Sequence, residues 1–232
     1  MRIEPLRDEA SIVLRGAFNP RIFHPAWLEL NSLISKEQAE DADIEIIHAD
    51  ITRFTAGYIT FEIQANRFMV GCEAIYKDLI KDMAVSIFGE HLVHSQIWQL
   101  GLNRTILFSC GNEATRDAFG SLLAPKEHWG KWGDEIKGED AQKHGGMIRM
   151  AMRQQPRPDG IEGYIDAEVR AVKDDHSAVE LGINNHFSIS DPENTTGCTE
   201  AIDVLHTHWS AVMEKAEFIA DGLMETIESV KQ

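Results

Sequence analysis

Residues 65–79 read ANRFMVGCEAIYKDL, and their short words return later as INNHFSIS at 183–190 and, after a short insert, GCTEAIDVL at 197–205. Asn-x-Phe, Gly-Cys and Glu-Ala-Ile recur in one order, each time where alternation of period two gives way to helical spacing. A strand that enters a helix through the same words twice points to an internal duplication.

Outward from the first copy, Ile59, Phe61, Ile63 and Ala65 alternate with Tyr58, Thr60, Glu62 and Gln64. That is the pattern of a sheet with one buried and one wet face. Three antiparallel strands are expected over 44–55, 57–65 and 67–72, then a helix over 75–89 with Leu79, Met83 and Ile87 on one face. Upstream, SIVLRGAF at 11–18 reads as a strand ended by Asn19-Pro20, and Pro25 opens a helix to Ile34. The acidic run 37–45 lacks calcium-loop spacing and reads as a solvated linker. The second half repeats the order: a strand at 96–108, a helix at 113–123, strands at 147–154, 161–172 and 177–189, and a helix at 199–230. The fold expected is α+β, a duplicated strand-helix-three strands-helix unit with a largely antiparallel sheet backed by helices. Residues 1–94 form one repeat and 95–232 the other, with an inserted loop at 125–146, in one compact domain.

The 232 residues carry 38 acidic against 22 basic side chains, a formal charge of -16. Charge of that sign repels phosphate backbones and anionic lipid, so neither nucleic acid nor a membrane is expected as a partner. No apolar run approaches the roughly 18 residues of a span, and MRIEPLRDEA lacks a secretion-signal layout, so a cytoplasmic protein is expected. Cys72, Cys110 and Cys198 are too few and too scattered for a disulfide framework, which fits a reducing compartment.

The first strand with Gly16-Ala-Phe-Asn19, the NRF and GINNHF strands, the GLN strand at 101–103 and the long terminal helix resemble a sporadically distributed family of uncharacterised bacterial proteins. The likeness covers most of the chain and implies no particular activity, cofactor or catalytic residue. Patchy distribution would imply an accessory role, in mobile elements or phage defence. The duplicated element order also resembles the saddle of TATA-binding-protein-like folds. Here the sheet face reads as acidic, so their minor-groove binding is not implied.

Little in the sequence points to catalysis. His206 and His208 lie two apart in a helix, about 200 degrees from one another, and cannot share an ion. His91 and His94 could share a face beside Glu90, but a third ligand is missing; no metal and no cofactor are expected. Each cysteine lies at or just before an expected helix start, where backbone amides can lower a thiol pKa, yet no Cys-His signature surrounds any of them. Phosphate loops, nucleophile elbows and HExxH are absent from the sequence. Asp174-Asp175 and Asp166 with Glu168 read as solvated carboxylates.

The segment 125–146, PKEHWGKWGDEIKGEDAQKHGG, holds nine charged residues and five glycines around Trp129 and Trp132. Two tryptophans in such a loop either fold back on the protein or dock on something else. The function expected is therefore a non-enzymatic binding or adaptor protein. Its expected binding residues are Trp129 and Trp132 with Tyr58, Glu62, Tyr164 and Glu168 on an acidic sheet face, and its partner a protein with a basic surface. The alternative is a metal-independent enzyme acting on a small molecule in a pocket between the halves through His24 or His48. The stripe Ile202, Leu205, Trp209, Val212, Ala216, Ile219 and Leu223 would extend beyond one sheet, so it either forms a homodimer or is covered by the other half.

Overall fold

The computed structural model describes residues 2–136 and 146–231. Nine strands form one sheet in the order β2-β3-β4-β5-β1-β6-β9-β8-β7, every neighbouring pair antiparallel. The strands are β1 (Arg7–Gly16), β2 (Asp43–Ile47), β3 (Ile51–Ala56), β4 (Ile59–Gln64), β5 (Arg67–Glu73), β6 (Ile97–Ser109), β7 (Arg149–Gln154), β8 (Gly163–Ala171) and β9 (Ala178–Ser188). The helices are α1 (Pro25–Leu30), α2 (Lys36–Glu40), α3 (Lys77–Ser86), α4 (Glu113–Leu123), α5 (Gly130–Glu135) and α6 (Thr199–Val230). The molecule is α+β. No described helix is long and apolar enough to cross a membrane.

Local chemistry fixes most boundaries. His24 accepts the Trp27 amide and Pro25 starts α1, which stops short of the expected Ile34 because Ser32 takes a left-handed φ of 58°. The acidic run expected as a linker begins instead with a helix, since Ser35 and Gln38 form a reciprocal capping box on α2. Asn112 caps α4 through the Thr115 amide. The expected strand 44–55 is two strands, β2 and β3, folded back around His48–Asp50, so the first half carries one strand more than expected. That reversal contains neither glycine nor proline, and periodicity alone runs straight through it. Within the inserted loop, α5 and a short turn at Lys126–Trp129 are helical, and residues 137–145 lie outside the described part.

Read outward from the central β1–β6 pair, the strand order is the same on both sides apart from the extra edge strand β2. Phe68 stands opposite Leu14, Leu14 opposite Leu100, and Leu100 opposite Phe187, so the two Asn-x-Phe words occupy mirrored places about that seam. Ile12, Leu14, Phe61, Ile63, Phe68, Leu100, Leu181 and Phe187 all point to one face and are buried there under the helices.

Helix α6, 32 residues and about 48 Å long, packs on β6 and β9 of that face, beside α3, which lies over β1 and β5. Its first half joins a core cluster with Ile12, Phe68 and Ile80; its second half, from Ala216 to Ile227, closes a second cluster with Ile106, Phe108, Phe119 and Leu181. The indole of Trp209 donates to Asp78 on α3 at 2.8 Å. The distal stripe therefore packs within the chain, against the second cluster, as the alternative of cover by the other half expects. The opposite face of α6 exposes Phe218.

Candidate functional site

The other face of the sheet carries the alternate residues of every strand, and no described helix covers them. Tyr164, Asp166, Glu168 and Arg170 face this way, as Thr60, Glu62 and Gln64 do, while Ile59, Phe61, Ile63, Ile165 and Val169 are buried on the helix side. Tyr58 sits in the β3–β4 turn beside Gly57, whose φ of 60° suits a residue without a Cβ. The middle of the face is low. Gly71, Ser11 and Asn103 lie side by side in register on β5, β1 and β6, and Gly101 and Gly182 continue the floor on β6 and β9.

Aromatic groups frame this floor on both sides. Tyr58 stacks on Tyr76 with ring centres 4.2 Å apart. Across the sheet, His186 stacks on Tyr164 at 4.5 Å, and the Arg153 guanidinium lies 3.6 Å from the Tyr164 ring centre while it also binds Asp166 through two hydrogen bonds of 2.7 Å. Burial, then the charge of Arg153, pushes the His186 pKa below its ordinary value.

The acids expected on this face stand among arginines. Arg7, Arg15, Arg53, Arg67, Arg149, Arg153 and Arg170 stand among Glu9, Asp43, Glu45, Glu62, Glu73, Asp166, Glu168 and Glu180. Glu62 is held between Arg53 and Arg67, and Glu168 between Arg149 and Arg170. The charges form two alternating chains. One runs Arg149, Glu168, Arg170, Glu180, Arg7, Glu9; the other runs Glu45, Arg53, Glu62, Arg67. Strand period placed the acids correctly, but cross-strand register, which supplies their arginine partners, is not visible in the sequence.

Trp129 and Trp132 neither fold back into the core nor lie apart. They pack edge to face with centres 5.4 Å apart and remain 61% and 54% exposed, beyond the end of α4 and distinct from the sheet face. The six expected binding residues thus fall into two groups, the tryptophan pair and the open face.

The catalytic candidates disperse. The Nδ1 of His24 accepts the Trp27 amide, and His48 lies in the exposed β2–β3 turn, 3.3 Å from Asp50. His206 is exposed, whereas the His208 ring lies 6.1 Å from Phe187. His91 and His94 line an open groove of about 310 Å3 with Phe18 and Asn19, and His91 meets Trp27 edge-on. Among the described residues no three His, Cys, Asp or Glu side chains converge as a metal site would need. All three cysteines are buried and free; burial pushes Cys72 and Cys110 up to about 11, and raises Cys198, whose thiol points at the Phe88 and Val93 carbonyls.

Buried polar groups escaped the sequence reading, Arg104, Arg157 and Asn185 among them. Arg104 pairs with Asp8 under the sheet. Arg157 lies over the Phe187 ring, pairs with Asp159 and donates to the Tyr164 and His186 carbonyls. Asn185 is 1% exposed, and neither its Nδ2 nor its Oδ1 has a hydrogen-bond partner. It shares parity with Ile183 and Phe187, so strand period alone was enough to place it inside.

Comparison with models of protein families gives no match, and comparison with curated proteins gives none.

Proposed function

We propose that this chain is a non-catalytic binding or adaptor protein whose working surface is the uncovered face of the sheet, read as two repeats joined at the β1–β6 seam. One observation carries the reading: a low floor of Ser11, Gly71, Gly101 and Gly182 lies between two stacked aromatic pairs, on a face whose charges are mostly spent on one another. Solvating such a face does not need this arrangement; a flat platform with aromatic shoulders suits the close approach of a partner's surface. Because the charges alternate, the partner needs both signs of charge rather than a uniformly basic surface. The tryptophan pair forms a second contact point. Three free buried thiols support a reducing compartment as the place of work.

The reading is tested by blocking the floor. A Cβ at Gly182 meets no atom within 4 Å, so Gly182→Tyr fills the face without disturbing the fold. Proteins captured from a lysate of the source organism by the immobilised wild-type chain should be lost with Gly182→Tyr at unchanged melting temperature. An identical set captured by both would retire the reading.

A further inference from the structure

Along the strands β5, β1, β6, β9 and β8, the charged residues of the open face are ion-paired with two exceptions among the described residues, Arg15 and Glu73. Both stand on the β1–β5 ladder, each directly opposite a residue of its own sign: Glu73 faces Glu9, and Arg15 faces Arg67. Like charges placed opposite each other across antiparallel strands destabilise a sheet. Here the two alternating chains of ion pairs run in from both sides and stop at this one ladder, the first ending on Glu9 and the second on Arg67. The like-charged pair Arg149–Arg170 elsewhere on this face is bridged by Glu168, whereas these two pairs have no bridging group of opposite sign among the described residues, and a conflict left open in this way suits a site completed from outside.

Between the two conflicts the ladder carries on this face the pairs Val13–Met69 and Ser11–Gly71, the second of them without bulk. Gly71 leaves a groove of about 530 Å3 that reaches from Arg67 to Glu73 and is walled at its acidic end by Tyr58. Glu73 and Arg67 are six residues apart on one strand, about 20 Å. An extended chain matches that span with charges six residues apart, whereas a helix needs about thirteen residues.

We propose that the β1–β5 groove receives an extended, bipolar segment of a partner protein, its basic side chain between Glu9 and Glu73 and its acidic side chain between Arg15 and Arg67. The guest restores the alternation that the sheet lacks, and its cation also meets the Tyr58 face. This inference rests on the open face being a docking surface and names the chemistry that docks there.

The probe is the blocked peptide Arg-Gly-Ser-Gly-Ser-Gly-Asp, titrated into the full 15N-labelled chain, with a neutral analogue carrying citrulline and asparagine at its ends. Saturable shifts at the amides of Ser11, Gly71 and Glu73 are expected with the charged peptide and not with the analogue. Glu73→Gln and Arg15→Gln should each weaken binding about fivefold, the scale of one exposed ion pair. Gly71→Val, whose Cβ meets its nearest atoms at an ordinary 3.4 Å, fills the groove without changing charge and should abolish binding. Glu29→Gln, an exposed acid on α1, should change nothing. Equal shifts from the neutral analogue, equal weakening by Glu29→Gln, or no shift at those amides at millimolar peptide would overturn the proposal. If the peptide fails while Gly182→Tyr still loses its captured partners, this groove is wrong and the face reading stands; if capture is unchanged, the face reading falls first.

Discussion

Arg104 on β6 grips Asp8 on β1 through two hydrogen bonds, 2.9 Å from Nε to Oδ1 and 2.7 Å from Nη2 to Oδ2, on the helix side of the sheet. Leu102 on one side belongs to the first core cluster and Ile106 on the other to the second, so the ion pair stands where the two cores divide. Arg104 is 6% exposed, and Glu217 approaches it at 3.8 Å.

Asp8→Asn leaves that guanidinium buried with only the more distant acids Glu217 and Asp221 for compensation. Stability should fall by about 3 kcal/mol in urea unfolding. The double variant Asp8→Leu/Arg104→Met should recover most of the loss, because neither charge then needs solvation. A double variant as unstable as the single one would show that the pair is required for packing itself.

Asn185 buries an amide with no partner on either atom, at a cost of about 1–3 kcal/mol. Asn185→Leu, of similar size and among Ile183, Phe187 and Leu102, should raise the thermal midpoint. A lower midpoint would mean that the amide is satisfied in solution by a trapped water, which high-resolution diffraction would reveal.

The tryptophan pair is more than half exposed and contacts itself. Replacing Trp129 and Trp132 together by alanine should cost no more than about 1 kcal/mol, the scale of one aromatic pair. Capture of partners by the immobilised chain should weaken at the same time. A loss of several kcal/mol would place the pair in the core.

His186 makes stability depend on pH with a definite sign. Its pKa in the folded chain lies below the ordinary 6.5, through burial first and the Arg153 charge second, so the unfolded chain binds more protons. The contribution is complete above 6.5 and is lost as the pH falls toward the folded value. Urea midpoints of the wild-type chain should therefore drop between about pH 7 and pH 5 by more than those of His186→Gln. Parallel pH profiles would assign the dependence to other groups.

Much of this architecture was open to reading from the residues. Alternation at Ile59 to Gln64 identified the buried and wet sides of β4, and α4 and α6 begin and end where the change of period places them. The reversal at His48–Asp50 was hidden because Ile47, Ala49 and Ile51 keep the alternation going, and Asp50 is its single turn-forming residue, without a glycine or proline. The arginine partners of the acids were hidden for a different reason. Glu62 and Arg53 are nine residues apart, and Glu168 and Arg149 nineteen, so their neutralisation depends on register, which composition averages away.

Helix α6 closes both cores, yet it is made after every strand it covers. Until it emerges, the first half already has cover of its own, since Phe68 packs against Phe18, Phe23 and Phe88, whereas the second core lacks the Ala216–Ile227 side chains that close it. Packing can therefore begin in the first half while the second half waits for the last element of the chain, so the two cores are completed in order rather than at once.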